Sequence, residues 1–160
     1  MITSVLVYSL SGNTSRVARD VAARLGATLS TLEAPEVRPG PLAMLRLGYA
    51  TLFGGSTPVR LTGPDPLRAD LVVLAAPVWA GRLCVPMRSW LATRPALPDR
   101  VALILTGGAP RPDARSFADF AARAGVTPLA TLYVSAADAA ADRFAPASAA
   151  FCQTLAAQAG

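Results

Sequence analysis

Ser9, Ser11, Gly12, Asn13 and Thr14 bring three hydroxyls, an unhindered backbone position and a carboxamide into six residues, directly after an apolar run and directly before a helical pattern. That combination suits anion binding. A helix start leaves backbone N–H groups without partners and carries partial positive charge, so small and hydroxyl-bearing residues placed there cradle a phosphate without any basic side chain. All 15 basic residues of the chain are arginines. A Walker-type loop needs lysine to reach the outer phosphates of a nucleoside triphosphate, so a cradle for one terminal phosphate monoester is the expected chemistry. Histidine is also absent. Imidazole bases, histidine-ligated metals and lysine Schiff bases are thereby excluded, and neither a catalytic side chain nor a metal site is assigned.

Two further loops have the same small or polar character. One is Pro77, Val78, Trp79, Ala80 and Gly81, followed by Arg82; the other is Thr106, Gly107 and Gly108, followed by Ala109 and Pro110. Each follows an apolar run. Continuous runs rich in Val, Ile and Leu at residues 2–8, 71–76, 101–106 and 129–134, with a weaker one at 27–32, suit strands covered on both faces. Between them, Val17, Val21 and Leu25 recur at four-residue spacing beside Ala18 and Ala22, leaving Arg16, Arg19, Asp20 and Arg24 on the other side of a helix. Residues 86–93, 113–124 and 146–159 are further helical stretches. Strands alternating with helices over this length predict one domain, residues 1–160, built as a doubly wound α/β sheet of five parallel strands. In such sheets ligands sit beyond the carboxyl ends of the strands, where all three loops fall.

Residues 34–66 are the least regular part. Pro35, Pro39, Pro41, Pro58 and Pro64 flank an apolar segment, residues 42–53, which is expected to form a helix packed into the core, with a homodimer contact or a lid as the alternatives.

Composition narrows the classes further. The chain is 52% hydrophobic, yet its longest apolar run, residues 71–80, is interrupted by Pro77 and falls short of the ~20 residues a membrane helix needs. The first residues carry no basic leader or cleavage site, and Cys84 and Cys152, the only two cysteines, read as small packing residues rather than a disulfide pair. A cytoplasmic protein is expected. The net charge of +5 is spread evenly, with 7 arginines and 5 acids in residues 1–80 and 8 arginines and 5 acids in the remainder. Without a basic cluster or interleaved aromatics, nucleic acid is not expected as a partner.

The chain resembles the flavodoxin-like family of FMN-binding proteins over nearly its whole length. Ser9, Ser11, Gly12 and Thr14 meet the family's phosphate loop, and Pro77, Trp79 and Gly81 meet its second loop, each at the end of an expected strand. The resemblance implies strand order 2-1-3-4-5 and FMN held without a covalent bond. Trp79 would stack on the flavin ring, the backbone at Ala80 and Gly81 would lie along its edge, and Thr106, Gly107 and Gly108 would contact its other side. The electron-carrying members of the family usually add a second aromatic in the third loop and are strongly acidic. Here Ala109 and Pro110 occupy that loop and the charge is positive. An open ring face is implied, which suits hydride transfer from NAD(P)H to a small acceptor such as a quinone, with Arg82, Arg111 and Arg115 placed to attract phosphates. A flavodoxin-type electron carrier serving a redox protein, or a non-enzymatic ligand-sensing module of the same fold, are the alternatives.

Overall fold

A computed structural model describes residues 1–158. Its elements are β1 (Thr3–Val7), α1 (Asn13–Leu25), β2 (Thr28–Glu33), α2 (Pro41–Leu52), β3 (Arg60–Thr62), β4 (Leu71–Trp79), β5 (Arg82–Leu83), α3 (Val85–Ala92), β6 (Arg100–Gly107), α4 (Ala114–Ala124), β7 (Thr131–Ser135), α5 (Ala136–Ala140) and α6 (Ala145–Ala157), with a 3₁₀ turn at Pro66–Arg68. The last residue of the helix expected over 146–159 lies outside the described residues.

The apolar runs are continuous because both sheet faces are covered. Alternate residues divide between two cores. Val5, Val7, Val73, Ala75, Ala102 and Ile104 pack with Val17 and Val21 of α1 and Phe151 and Leu155 of α6. Leu6, Val72, Leu74, Val101, Leu103 and Leu105 pack on the opposite face with Met87 and Leu91 of α3 and Phe120 of α4.

The sheet runs β3-β2-β1-β4-β6-β7, with β5 attached to β4. Strands β2, β1, β4, β6 and β7 are mutually parallel, whereas β3 lies antiparallel to β2 and β5 antiparallel to β4. The expected five-stranded, all-parallel sheet is therefore corrected to a mixed sheet of seven strands. Both additions were hidden for a physical reason: β3 is 3 residues long and wholly exposed, β5 is 2 residues long, and neither is long enough to carry a hydrophobic period. Strand β1 pairs with β2 on one side and β4 on the other, so the chain departs from it in both directions and a crevice opens at its carboxyl end.

Helix α2 overturns a second expectation. Leu42, Met44, Leu45, Tyr49 and Leu52 are turned outward, Leu47 is half-buried, and among the residues of the helix only Thr51 is buried. The helix leans on α3 through its less bulky side, and the guanidinium of Arg88, itself buried, donates from Nη1 to the Thr51 carbonyl at 2.6 Å. No helix among the described residues is long and apolar enough to cross a membrane.

Candidate functional site

The first loop is shaped by its own hydroxyl and its glycine. Tyr8 continues the β1–β4 pairing through its N–H to the Ala75 carbonyl at 2.9 Å, and the chain then turns so that the Gly12 N–H donates to Ser9 Oγ at 3.0 Å. Gly12 has φ +92°, a conformation that L side chains rarely adopt. Helix α1 begins immediately afterwards, with no side chain capping it. Its first intrahelical bond runs from the Arg16 N–H to the Gly12 carbonyl at 3.1 Å, so the amides of Asn13, Thr14 and Ser15 have no partner within the helix.

Thr14 ties this turn to the end of β6. Its Oγ1 lies 2.7 Å from Oγ1 of Thr106, and both residues are buried. Two hydroxyls sharing one hydrogen bond use one of their two hydrogens, which leaves one free to donate to a ligand.

A cavity of about 340 Å³ opens at this point. It is lined by Leu10, Ser11, Asn13 and Thr14 of the first loop, Pro77, Val78 and Trp79 of β4, Thr106, Gly107 and Gly108 at the end of β6, Pro39, Gly40 and Met44 at the start of α2, and Ala136 of α5. The structure thus brings Ser11, Asn13, Thr14, Pro77, Val78, Trp79, Thr106, Gly107 and Gly108 together around one space. Ser9, Gly12, Ala80 and Gly81 are not on its wall. Ser9 and Gly12 shape the turn beneath it. Ala80 and Gly81 are the two-residue turn of the hairpin that pairs Trp79 with Arg82, with φ +50° and +73°, the positive values a type I′ connection requires.

Sequence reasoning missed Leu10, Pro39, Gly40, Met44 and Ala136. The Pro-Gly pair before α2 was a visible break, but only packing shows that it returns to the first loop.

The wall contains no acidic or basic side chain. Arg16, expected near the start of α1, is paired with Asp142 at 3.0 Å, and Arg115 is paired with Asp113 at 2.7 Å. Hydrogen bonding to Arg115 holds the Asp113 carboxyl below the usual carboxylate range. Arg82 and Arg111 are exposed and form no ion pair among the described residues.

Two aromatic contacts stiffen the walls. Tyr8 meets Trp79 edge to face, with centroids 6.0 Å apart and ring planes at 84°. Burial, and secondarily Cys84, pushes the Tyr8 phenol above its ordinary range, so it stays neutral. On the other side Tyr133 of β7 donates its hydroxyl to the Ala109 carbonyl at 2.7 Å and passes so close to Gly107 that a Cβ there would lie 2.8 Å from the phenol oxygen. A larger cavity of about 490 Å³, lined by Ile2, Ser4, Thr28, Asp65 and Arg68, lies near the amino ends of β1 and β2, away from the three loops.

No protein-family model matches the sequence, and no curated protein matches it either. Solved structures do. The chain is similar to a flavoprotein of Lactobacillus acidophilus crystallised in complex with FMN, at 20% identity and TM-score 0.72 over 89% of this chain and 97% of that one. It is also similar to the Trp repressor binding protein of Bacillus subtilis, at 16% identity and TM-score 0.56 over 96% and 98% of the two chains. An azoreductase matches at 13% identity and TM-score 0.51 over 95% of each. These likenesses show a flavodoxin-like fold.

Proposed function

We propose that this chain, taken as one domain over residues 1–160, is an FMN-binding oxidoreductase of the cytoplasm that takes hydride from NAD(P)H and passes electrons to a small acceptor such as a quinone. The observation that carries this reading is the uncapped start of α1 opening into a cavity whose wall has no ionisable side chain and includes Trp79. Such a space suits a ligand with a phosphate at one end and a flat, largely apolar body at the other.

The residues present fit FMN. The amides of Asn13, Thr14 and Ser15, the Ser11 hydroxyl and the hydrogen left over by the Thr14–Thr106 pair would hold the phosphate. Trp79, Pro77, Val78, Gly107 and Gly108 would hold the ring, with Trp79 steadied by Tyr8. FMN, when bound, supplies reversible two-electron chemistry. The chain's own residues bind, orient and exclude water: Leu10, Val78 and Met44 make the wall apolar, and no side chain on it titrates in the neutral range. The similar flavoprotein crystallised with FMN supports the cofactor, and the similar azoreductase supports a small-molecule acceptor.

Titration of the purified protein with FMN, followed by anaerobic addition of NADPH or NADH, tests the reading. Saturable binding with bleaching of the ~450 nm flavin band is expected. FMN bound but left oxidised by both nucleotides would move the assignment to an electron carrier, and absence of FMN binding would remove it.

A further inference from the structure

Helix α2 turns to solvent the kind of side that helices normally bury. Leu42, Leu45, Tyr49 and Leu52 recur at alternating three- and four-residue spacing, which sets them on one stripe. They are 83%, 74%, 66% and 49% exposed. Phe53, 70% exposed, lengthens the stripe and packs on Tyr49 with ring centroids 4.4 Å apart. Five large side chains in a row expose on the order of 600 Å², at the upper end of what monomeric proteins present to water.

The charges around the stripe indicate what covers it. Residues 37–64 contain no acid, and their only charged side chains are Arg38, Arg46 and Arg60; Glu36, just before them, lines the groove beside α2 together with Arg38 and Arg46, so two arginines there face one carboxylate and the balance stays positive. Arg60 is paired with Glu33 at 2.5 Å, while Arg38 and Arg46 are in no ion pair among the described residues. Arg46 follows Leu42 by four residues and precedes Tyr49 by three, so it flanks the stripe. It also sits at the middle of the helix. A two-fold pairing of α2 with a second copy would therefore bring each Arg46 near its symmetry mate, like charge against like charge. A lipid surface rich in anionic headgroups accepts both features, taking the Leu, Tyr and Phe side chains into the headgroup boundary and leaving the guanidinium among the phosphates.

We propose that α2 is an interfacial helix that seats this protein on an anionic lipid surface. Met44 of the same helix and Gly40, which precedes it, are on the wall of the cavity, so seating the helix brings the rim of the cavity to the headgroup layer. A quinone dissolved in the bilayer would then reach the site by lateral diffusion. That last consequence rests on the proposed flavin function; the seating of α2 does not.

Co-sedimentation of the full chain, with and without FMN, with phosphatidylglycerol–phosphatidylcholine vesicles tests the proposal. Binding is expected, and it should weaken at least about tenfold on phosphatidylcholine alone or in about 0.5 M salt. Leu45→Asp and Tyr49→Asp, substitutions at exposed positions that leave both cores untouched, should each weaken it about tenfold with an unchanged unfolding midpoint. Arg46→Glu should lower binding to the anionic vesicles. Absence of vesicle binding, equal binding by the Asp variants, or a concentration-dependent dimer that these substitutions dissolve and that ignores vesicles would each overturn it. Vesicle binding by a protein that fails to take up FMN would keep this proposal and remove the cofactor.

Discussion

The Thr14–Thr106 pair is the smallest unit in which folding meets the proposed ligand site. Each hydroxyl is buried and each is the other's partner, so removing one leaves the other desolvated and unpaired. Thr14→Val should lower stability by about 1–3 kcal/mol in urea unfolding and weaken FMN binding about tenfold, while Thr14→Ser should retain most of both. A Val variant that binds FMN as tightly as the parent would show that this hydroxyl pair serves the fold alone. The pair also marks where residue types were readable in the chain. Hydroxyls and glycine at a strand-to-helix turn have few structural uses other than turn formation and anion binding, so the spacing alone gathered Ser11, Asn13 and Thr14 at one turn, and the structure puts all three on the wall of one cavity. Ala80 and Gly81 are not on that wall. Nothing in the sequence marks β4 as running on to Trp79, where pairing with Arg82 makes the next two residues a hairpin connection, and their contact with a ring edge remains a proposal.

At the scale of elements, the core strands were legible because burial on both faces demands unbroken apolar runs, whereas β3, β5 and α5 were too short to show any period. Helix α2 was legible as a helix, but its orientation was not. Its outer face carries the bulkier residues, and the position of the helix depends on a contact no local pattern announces, the buried Arg88 reaching the Thr51 carbonyl in its last turn. A cation there also favours the helix dipole. The Nε of Arg88 has no partner, so the guanidinium is held at some desolvation cost. Arg88→Met keeps the volume and removes that cost together with the bond to α2. Global stability should change by less than about 1 kcal/mol, while amide exchange in α2 should accelerate at least about tenfold. Unchanged exchange in α2 would mean that packing on α3, β4 and β5 positions the helix without this bond.

For the whole molecule, the distribution of ionisable groups predicts a broad pH plateau. Hydrogen bonds from Arg60 to Glu33, from Arg115 to Asp113, and from Ser135 and then Arg143 to Asp138 hold these carboxyls below their ordinary range. Because the folded values lie under the unfolded ones, their contribution is present above about pH 4 and is lost as pH falls further. Cys84 acts at the other end. Burial pushes its thiol up to about 12 from an ordinary value of 9.0, so its contribution is complete below that value and is lost as pH rises toward 12. The thermal midpoint should therefore be flat from about pH 5 to 9 and fall on both sides, and a pronounced slope inside that range would contradict the assignment. The ion-free wall of the cavity carries this to the ligand. With no histidine in the chain and no charged side chain lining the cavity, the proposed binding of FMN should sense, near neutrality, the second ionisation of its phosphate, at about pH 6, and no side chain of the wall. An inflection in FMN affinity there would report the charge state of the cofactor itself, making this protein a proton-silent vessel in which one titration belongs entirely to the guest.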